Sequence, residues 1–214
     1  MPDASPPQLL ICGHGAIDDP DASIIFDKTM EQVDQEEFDD IRDDIIVMRL
    51  GPSDQLLDAL ISTAKIVFQL SSREGFEVKV SEALHKGKPV IATRAGGIPL
   101  QVQDGKNGYL VEIGDHLAVA EKAFYLLNNE RKWREMSEYA KRSVSDEVGT
   151  VGNALCWMYL ADKLAKGEKL EGNQKWVVDM AREEAGVPWN PKESRLPRVS
   201  LDVKELAVTL DTSL

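Results

Sequence analysis

Short, almost wholly apolar runs alternate with longer amphipathic ones along the first half of the chain, and this pattern most constrains the fold. Leu9–Cys12, Ile45–Met48, Ile66–Leu70, Pro89–Thr93 and Gly108–Val111 each have strand length and little inward/outward alternation. Strands buried on both faces read this way, because helices cover them on either side. Between them lie helical patterns. Ser53 caps one that runs to about Ala64, with Leu56, Leu57, Leu60 and Ile61 on one face, and Val78–Lys86 forms another. The expected fold class is α/β, a Rossmann-like parallel sheet with helices on both faces. After Gly114 no strand pattern recurs, and His116–Leu127, Arg131–Val144 and Val151–Lys166 all read as helices. The expected organisation is a Rossmann-like domain over 1–150, C-terminal helices over 151–187 and an extended, Pro-rich tail over 188–214.

Composition excludes several classes. The 214 residues are 43% hydrophobic and 29% charged, an ordinary globular balance. No apolar run approaches the roughly 18 residues of a membrane helix. Met1–Pro7 lacks both a basic residue and an apolar core, so no signal peptide is expected and the protein reads as cytoplasmic. Cys12 and Cys156 lie in apolar surroundings and read as reduced, buried thiols. The net charge is −12, and the stretch Ile17–Ile46 alone holds 12 acids against Lys28 and Arg42. Such a chain repels nucleic acid and anionic membranes, so neither is expected as a partner. The acidic stretch itself reads as a solvated loop and helix face, with a cation or partner site as the sharper alternative. Trp133, Trp157 and Tyr159 read as residues that pack helices together.

The segment that carries chemistry is Ser71–Val90. It sets a carboxylate, Glu74, just beyond the C-terminal end of a strand, then Gly75, where backbone can approach a ligand closely. A helix follows at once, so its free N–H groups face the same crevice, and such a helix start suits phosphate. Glu82 lies eight residues on, within that helix, and the turn Gly96-Gly97-Ile98-Pro99 follows the next strand. Taken singly, Glu74 could serve only the helix dipole, and Glu82 could be a surface carboxylate. Gly13-His14-Gly15 lacks the third glycine of a dinucleotide fingerprint. Asp19-Pro20-Asp21 has the D-x-D spelling found in metal-dependent glycosyl transfer but sits in the acidic loop.

With Glu-Gly-Phe, E-x(7)-E, Lys-Gly-Lys-Pro-Val and Gly-Gly in this order, the chain resembles the C-terminal domain of a retaining GT-B glycosyltransferase. The resemblance runs from about Pro7 to Lys166 and is strongest over Gln69–Val111. Leu100-Gln101 after Gly-Gly-Ile-Pro is similar to the trehalose branch, which contains fungal trehalose phosphorylases and nucleotide-sugar trehalose synthases. The resemblance implies that Glu74, the candidate catalytic residue, holds hydroxyls of the transferred glucose. It implies that amides of Gly75, Phe76 and Glu77 complete the sugar site, with Gly96 and Gly97 beside it. Amides of Val78 and Lys79 would hold phosphate, and the Lys79 ammonium either adds to that site or faces outward. Glu82 would grip ribose in a nucleotide-sugar enzyme and has no such task in a phosphorylase. Relatives usually carry Gly-Leu-Val where Glu77-Val78-Lys79 stand here. Neither metal nor other cofactor is implied.

The expected partners are sugar plus phosphate, or a sugar nucleotide, and an N-terminal GT-B domain that this chain lacks. The chain is therefore expected to be inactive alone. Helix Val151–Lys166 is the element expected to lose contacts, leaving Trp157 exposed or driving self-association. A non-catalytic sugar-phosphate or interaction module is the alternative from another class.

Overall fold

The structure is a computed structural model, and it describes residues 6–13, 21–170 and 176–187. The tail expected over 188–214, and Asp19-Pro20 and His14-Gly15 of the two weak motifs, lie outside the described residues. Two compact units divide the chain between Ala59 and Leu60.

In the first unit, strands β1 (Leu9–Gly13) and β2 (Ile45–Arg49) pair in parallel, Leu9 opposite Ile45 and Cys12 opposite Met48. Helix α1 (Asp21–Val33) connects them, followed by two 3-10 turns, Glu36–Phe38 and Arg42–Asp44. The acidic stretch thus contains a regular helix, with Val33 its buried residue. Arg42 ties the stretch together, donating to Asp39 at 2.6 Å and to the Val33 carbonyl at 3.1 Å. All of β1 is exposed, which corrects the expectation of a strand covered on both faces. Two strands and one short helix offer too little apolar surface to close over it within this unit. Cys12 is accordingly exposed, not buried, whereas Cys156 is buried as expected, and both are free thiols.

Helix α2 (Asp54–Thr63) spans the division in the chain, and the Ser53 hydroxyl accepts the Leu56 N–H at its start, as the sequence suggested. The second unit then builds a parallel sheet of β3 (Val67–Gln69), β4 (Val90–Thr93) and β5 (Gly108–Val111) in the order 3-4-5. The five strands are those the apolar runs indicated, grouped into two parallel sheets. Helix α3 (Val78–His85) connects β3 to β4, and the short α4 (Ile98–Gln101) leads toward β5. Right-handed crossovers in one direction place both connections on one face of the sheet. The other face is closed by α5 (His116–Asn128), with α6 (Glu130–Ser143) touching both α3 and α5. Side-chain alternation along β4 separates the two faces. Ile91 packs with Val111, Leu126 and Met136, while Val90 and Ala92 point oppositely, toward the face where Val80, Ala83 and Leu84 are buried.

Helix α3 stops where Gly87 adopts φ 69°, and the Lys88 N–H closes the last turn on the Ala83 carbonyl at 2.9 Å. In its final turn the His85 Nε2 is buried without a hydrogen-bond partner. Burial and the neighbouring Lys86 hold this imidazole below the ordinary histidine pKa of 6.5. A histidine depressed in the folded state binds its proton more tightly when unfolded. Its stabilising contribution is therefore present above about pH 6.5 and fades as pH falls toward the lower folded value. Thermal melts between about pH 7 and pH 5 should show a drop in midpoint that His85→Gln flattens, and equal slopes would refute it.

Beyond the sheet, α7 (Thr150–Ala165) packs on α8 (Val177–Glu184) and the 3-10 turn Asp146–Val148. Lys163 clamps this pair, its Nζ 2.7 Å from Glu184 and 2.9 Å from Glu168, which raises its pKa. Tyr159 is buried, and the Trp133 indole N–H donates to the Lys65 carbonyl at 2.8 Å. Trp157 does not pack helices together in this structure, because it lies on the outer side of α7 and is 67% exposed. Among the described residues no helix is long and apolar enough to cross a membrane.

The two thiols should separate chemically. Burial, and next Glu147, push the Cys156 thiol up to about 12. At about pH 8 a thiol reagent should modify Cys12 alone, with Cys156 reacting only after unfolding, since the thiolate is the nucleophile. Mass spectrometry of native protein carrying two labels would contradict this.

Candidate functional site

The site residues collect at the C-terminal ends of β3 and β4. There the loop Ser71–Glu77 and the turn Ala95–Gly97 meet backbone to backbone. Three contacts fasten them. The Thr93 hydroxyl, at the end of β4, donates to the Ser71 carbonyl at 2.5 Å. The Gly97 N–H donates to the Gly75 carbonyl at 2.6 Å. Gly96 has φ 51°, and a Cβ there would lie 1.9 Å from the Glu74 carbonyl oxygen. Glycine at 96 is thus demanded by this chain itself. Gly75 differs, since a Cβ on it would meet nothing within 4 Å. Among the described residues no neighbour requires glycine at 75, and the space beside it is open.

Gln101 is the fastener the sequence reading missed. Its amide donates to the carbonyls of Phe76 and Glu77, and its oxygen accepts the Ser81 hydroxyl. Its own carbonyl accepts from Asn107 Nδ2 at 3.0 Å, and Asn107 is wholly buried. The signal was present in the Leu100-Gln101 pair, but only as a branch marker. The carbonyls of Gly75, Phe76 and Glu77 are thereby all engaged. Among the described residues the N–H groups of Gly75, Phe76, Glu77 and Val78 make no hydrogen bond. A strip of backbone donors consequently runs from the loop Ser71–Glu77 into the start of α3, where the helix dipole adds partial positive charge.

Glu77 is the described non-glycine residue with positive φ, at 61°. Its carboxylate caps α3, accepting the Lys79 N–H at 3.3 Å, and its side chain is only 9% exposed. The left-handed conformation disfavours a side chain by roughly 1–2 kcal/mol, a strain the cap helps offset. The sequence reading assigned Glu77 only a backbone amide, so this carboxylate is an addition. Lys79 Nζ lies 3.4 Å from Glu77 Oε1 with its side chain 60% exposed, so it borders the loop as half of a loose ion pair. The Lys79 N–H, assigned to phosphate by resemblance, is here directed at Glu77. Val78 and Glu82 are exposed on α3, Phe76 is exposed in the loop, and Glu74 is half-buried. The Gln69 amide nitrogen, at the end of β3, lies 3.2 Å from Glu74 Oε1, 3.4 Å from Glu77 Oε2 and 2.8 Å from Ser71 Oγ.

This arrangement presents half-buried and buried carboxylates, free backbone N–H groups and a helix N-terminus. It can accept hydrogen bonds from hydroxyls and donate them to an anion. Among the described residues no group of three or more His, Cys, Asp or Glu side chains could hold a metal ion.

Comparison with known proteins agrees with this architecture. A trehalose phosphorylase of Pleurotus pulmonarius is 55% identical over 204 residues, which is 95% of this chain and 28% of that protein. A trehalose synthase of Pyrococcus horikoshii is 36% identical over 137 residues, 64% of this chain and 32% of that protein. This chain therefore spans under a third of the length of these relatives. Among solved structures, sucrose-phosphate synthase from Thermosynechococcus elongatus superposes with a TM-score of 0.62 at 24% identity, covering 75% of this chain and 39% of that one. This is the GT-B fold expected from the sequence. The family described as Glycosyl transferases group 1 matches residues 5–143, about two thirds of the chain, and the chain belongs to that family.

Proposed function

We propose that this chain is the donor-side part of a retaining α,α-trehalose phosphorylase, which moves a glucosyl unit reversibly between trehalose and phosphate. The observation that carries this reading is the 55% identity to a trehalose phosphorylase across 95% of the chain. Residues 1–150 act as the glucose- and phosphate-binding domain, and 151–187 as a helical extension. Glu74 accepts hydrogen bonds from glucose hydroxyls, and the N–H groups of Gly75, Phe76 and Glu77 line the sugar, with Gly96 and Gly97 shaping the wall. Phosphate sits at the start of α3 against the Val78 amide, with the Lys79 ammonium at its edge, while the Lys79 N–H stays with the Glu77 carboxylate.

The chemistry follows from that placement. Ordinary retaining glycosidases set two carboxylates about 5 Å apart and use one as nucleophile. Here the phosphate itself is the incoming or leaving group on the same face as the acceptor. Glu74 then positions glucose, and fixed N–H donors stabilise charge on the phosphate as the glycosidic bond breaks. The acceptor side comes from an N-terminal GT-B domain, and the cations that complete phosphate binding come from a segment just before the strand matched by Leu9–Cys12, so the 214-residue chain alone is expected not to turn over.

A nucleotide-sugar-dependent trehalose synthase is the second reading, favoured by the 36% identity to a protein named trehalose synthase. The test is product analysis with a longer form that includes the acceptor domain. Phosphate-dependent glucose 1-phosphate formation from trehalose is expected, with no nucleotide released. Glu82→Gln should leave the donor constant unchanged. Nucleotide release, with a donor constant raised by Glu82→Gln, would establish the synthase instead.

A further inference from the structure

We infer that Gln69 is a positioning residue that sets the carboxylate of Glu74 for the sugar, with Glu77 as the fixed member of the pair. The inference rests on the sugar-phosphate reading of this loop. Gln69 Nε2 faces three acceptors, Ser71 Oγ at 2.8 Å, Glu74 Oε1 at 3.2 Å and Glu77 Oε2 at 3.4 Å. An amide nitrogen carries only two hydrogens, so it cannot fully satisfy all three at once. The orientation of the amide follows from the chemistry, because its oxygen would be repelled by two carboxylates. Glu77 is held from a second side by the Lys79 N–H, and its side chain is 9% exposed. Glu74 is half-buried, and Gln69 is the one described side chain recorded as donating to its carboxylate. Of the two carboxylates, Glu74 is therefore the one free to turn toward a ligand.

The division of labour follows. Without sugar, Gln69 keeps Glu74 at the loop rather than in solvent, and the bond between Glu77 and Lys79 keeps the loop closed. When a glucose hydroxyl donates to Glu74, the Gln69 N–H stays on that carboxylate from the loop side, Glu77 keeps the Lys79 N–H, and neither carboxylate is left without a donor. Gln69 thus acts through Glu74, on the sugar part of the ligand and not on its phosphate.

The experiment uses the 214-residue chain, with glucose 1-phosphate and inorganic phosphate as separate probes in NMR titrations of 15N-labelled protein. The Gln69 side-chain amide resonances should shift with glucose 1-phosphate and stay in place with phosphate. Gln69→Leu should weaken glucose 1-phosphate by about tenfold, the scale of one lost charged hydrogen bond, and leave phosphate affinity within about twofold. In a Glu74→Gln background the same change should weaken glucose 1-phosphate by less than about twofold, because the partner it orients is altered. Gln69→Met, matched in length, carries the same expectation should Gln69→Leu melt abnormally. Equal losses in both backgrounds, equal losses for both probes, or no loss would overturn the role of Gln69 while leaving the site in place. A chain that binds neither probe would instead overturn the reading of the loop itself, and this inference with it.

Discussion

Gly96→Ala should destabilise the second unit by about 3 kcal/mol or more, the largest stability effect expected of any single methyl in this chain. Two terms add. A left-handed φ of 51° disfavours any Cβ, and the new carbon would sit 1.9 Å from the Glu74 carbonyl oxygen. That oxygen belongs to backbone, so relief requires the whole β3–α3 loop to move. Denaturant unfolding measures the loss directly, and a change under about 1 kcal/mol would mean the two loops are not packed as described. Gly75→Ala is the informative contrast, since nothing lies within 4 Å of its added Cβ. Its stability should match the parent within about 0.5 kcal/mol, while its methyl intrudes on the space proposed for glucose.

Glu74→Gln should lower turnover of the longer enzyme by about 10- to 150-fold, the equivalent of 1.5–3 kcal/mol for one charged hydrogen bond. Glutamine keeps the shape and one acceptor oxygen but loses the charge. Its remaining oxygen accepts from the Gln69 amide, which leaves the new NH2, a donor, where a carboxylate oxygen would accept from the sugar. The loss should appear in kcat more than in KM if the hydroxyl bond strengthens as the glycosidic bond breaks. The variant must melt like its parent for the comparison to count. Unchanged turnover would reduce Glu74 and Glu82 to two carboxylates near a helix.

The strands and most helices were legible because apolar runs and helical periodicity are local signals. Gly108–Val111 was placed to the residue, and Val78–Lys86 differs from the observed helix by one position. The acidic stretch read as a solvated loop and helix face without bounds for α1, since a solvated helix and a solvated loop have similar composition. The division of five strands into two parallel sheets depends on which edges meet, and apolar runs do not encode neighbours. Burial failed in the same way at Cys12, because an apolar residue announces that it seeks cover and not whether cover is present, whereas Trp157 is exposed, as expected for helix Val151–Lys166 in this chain. The placement of Glu74 and the glycines beyond the ends of β3 and β4 follows from their order along the chain. Gln69, Gln101 and the side chain of Glu77 were missed because their roles arise from contacts across the β3–α3 and β4–α4 loops. Polar residues of that kind carry no periodicity.

The central claim is that the loop Ser71–Glu77 and the start of α3 bind a sugar phosphate. Titrating glucose 1-phosphate into 15N-labelled chain tests it most directly, read at backbone amides. The account predicts saturable shifts concentrated at Gly75 to Lys79 and at Gly96 and Gly97, with α1 and α7 unmoved. Shifts confined to other elements, or none at tens of millimolar ligand, would contradict it.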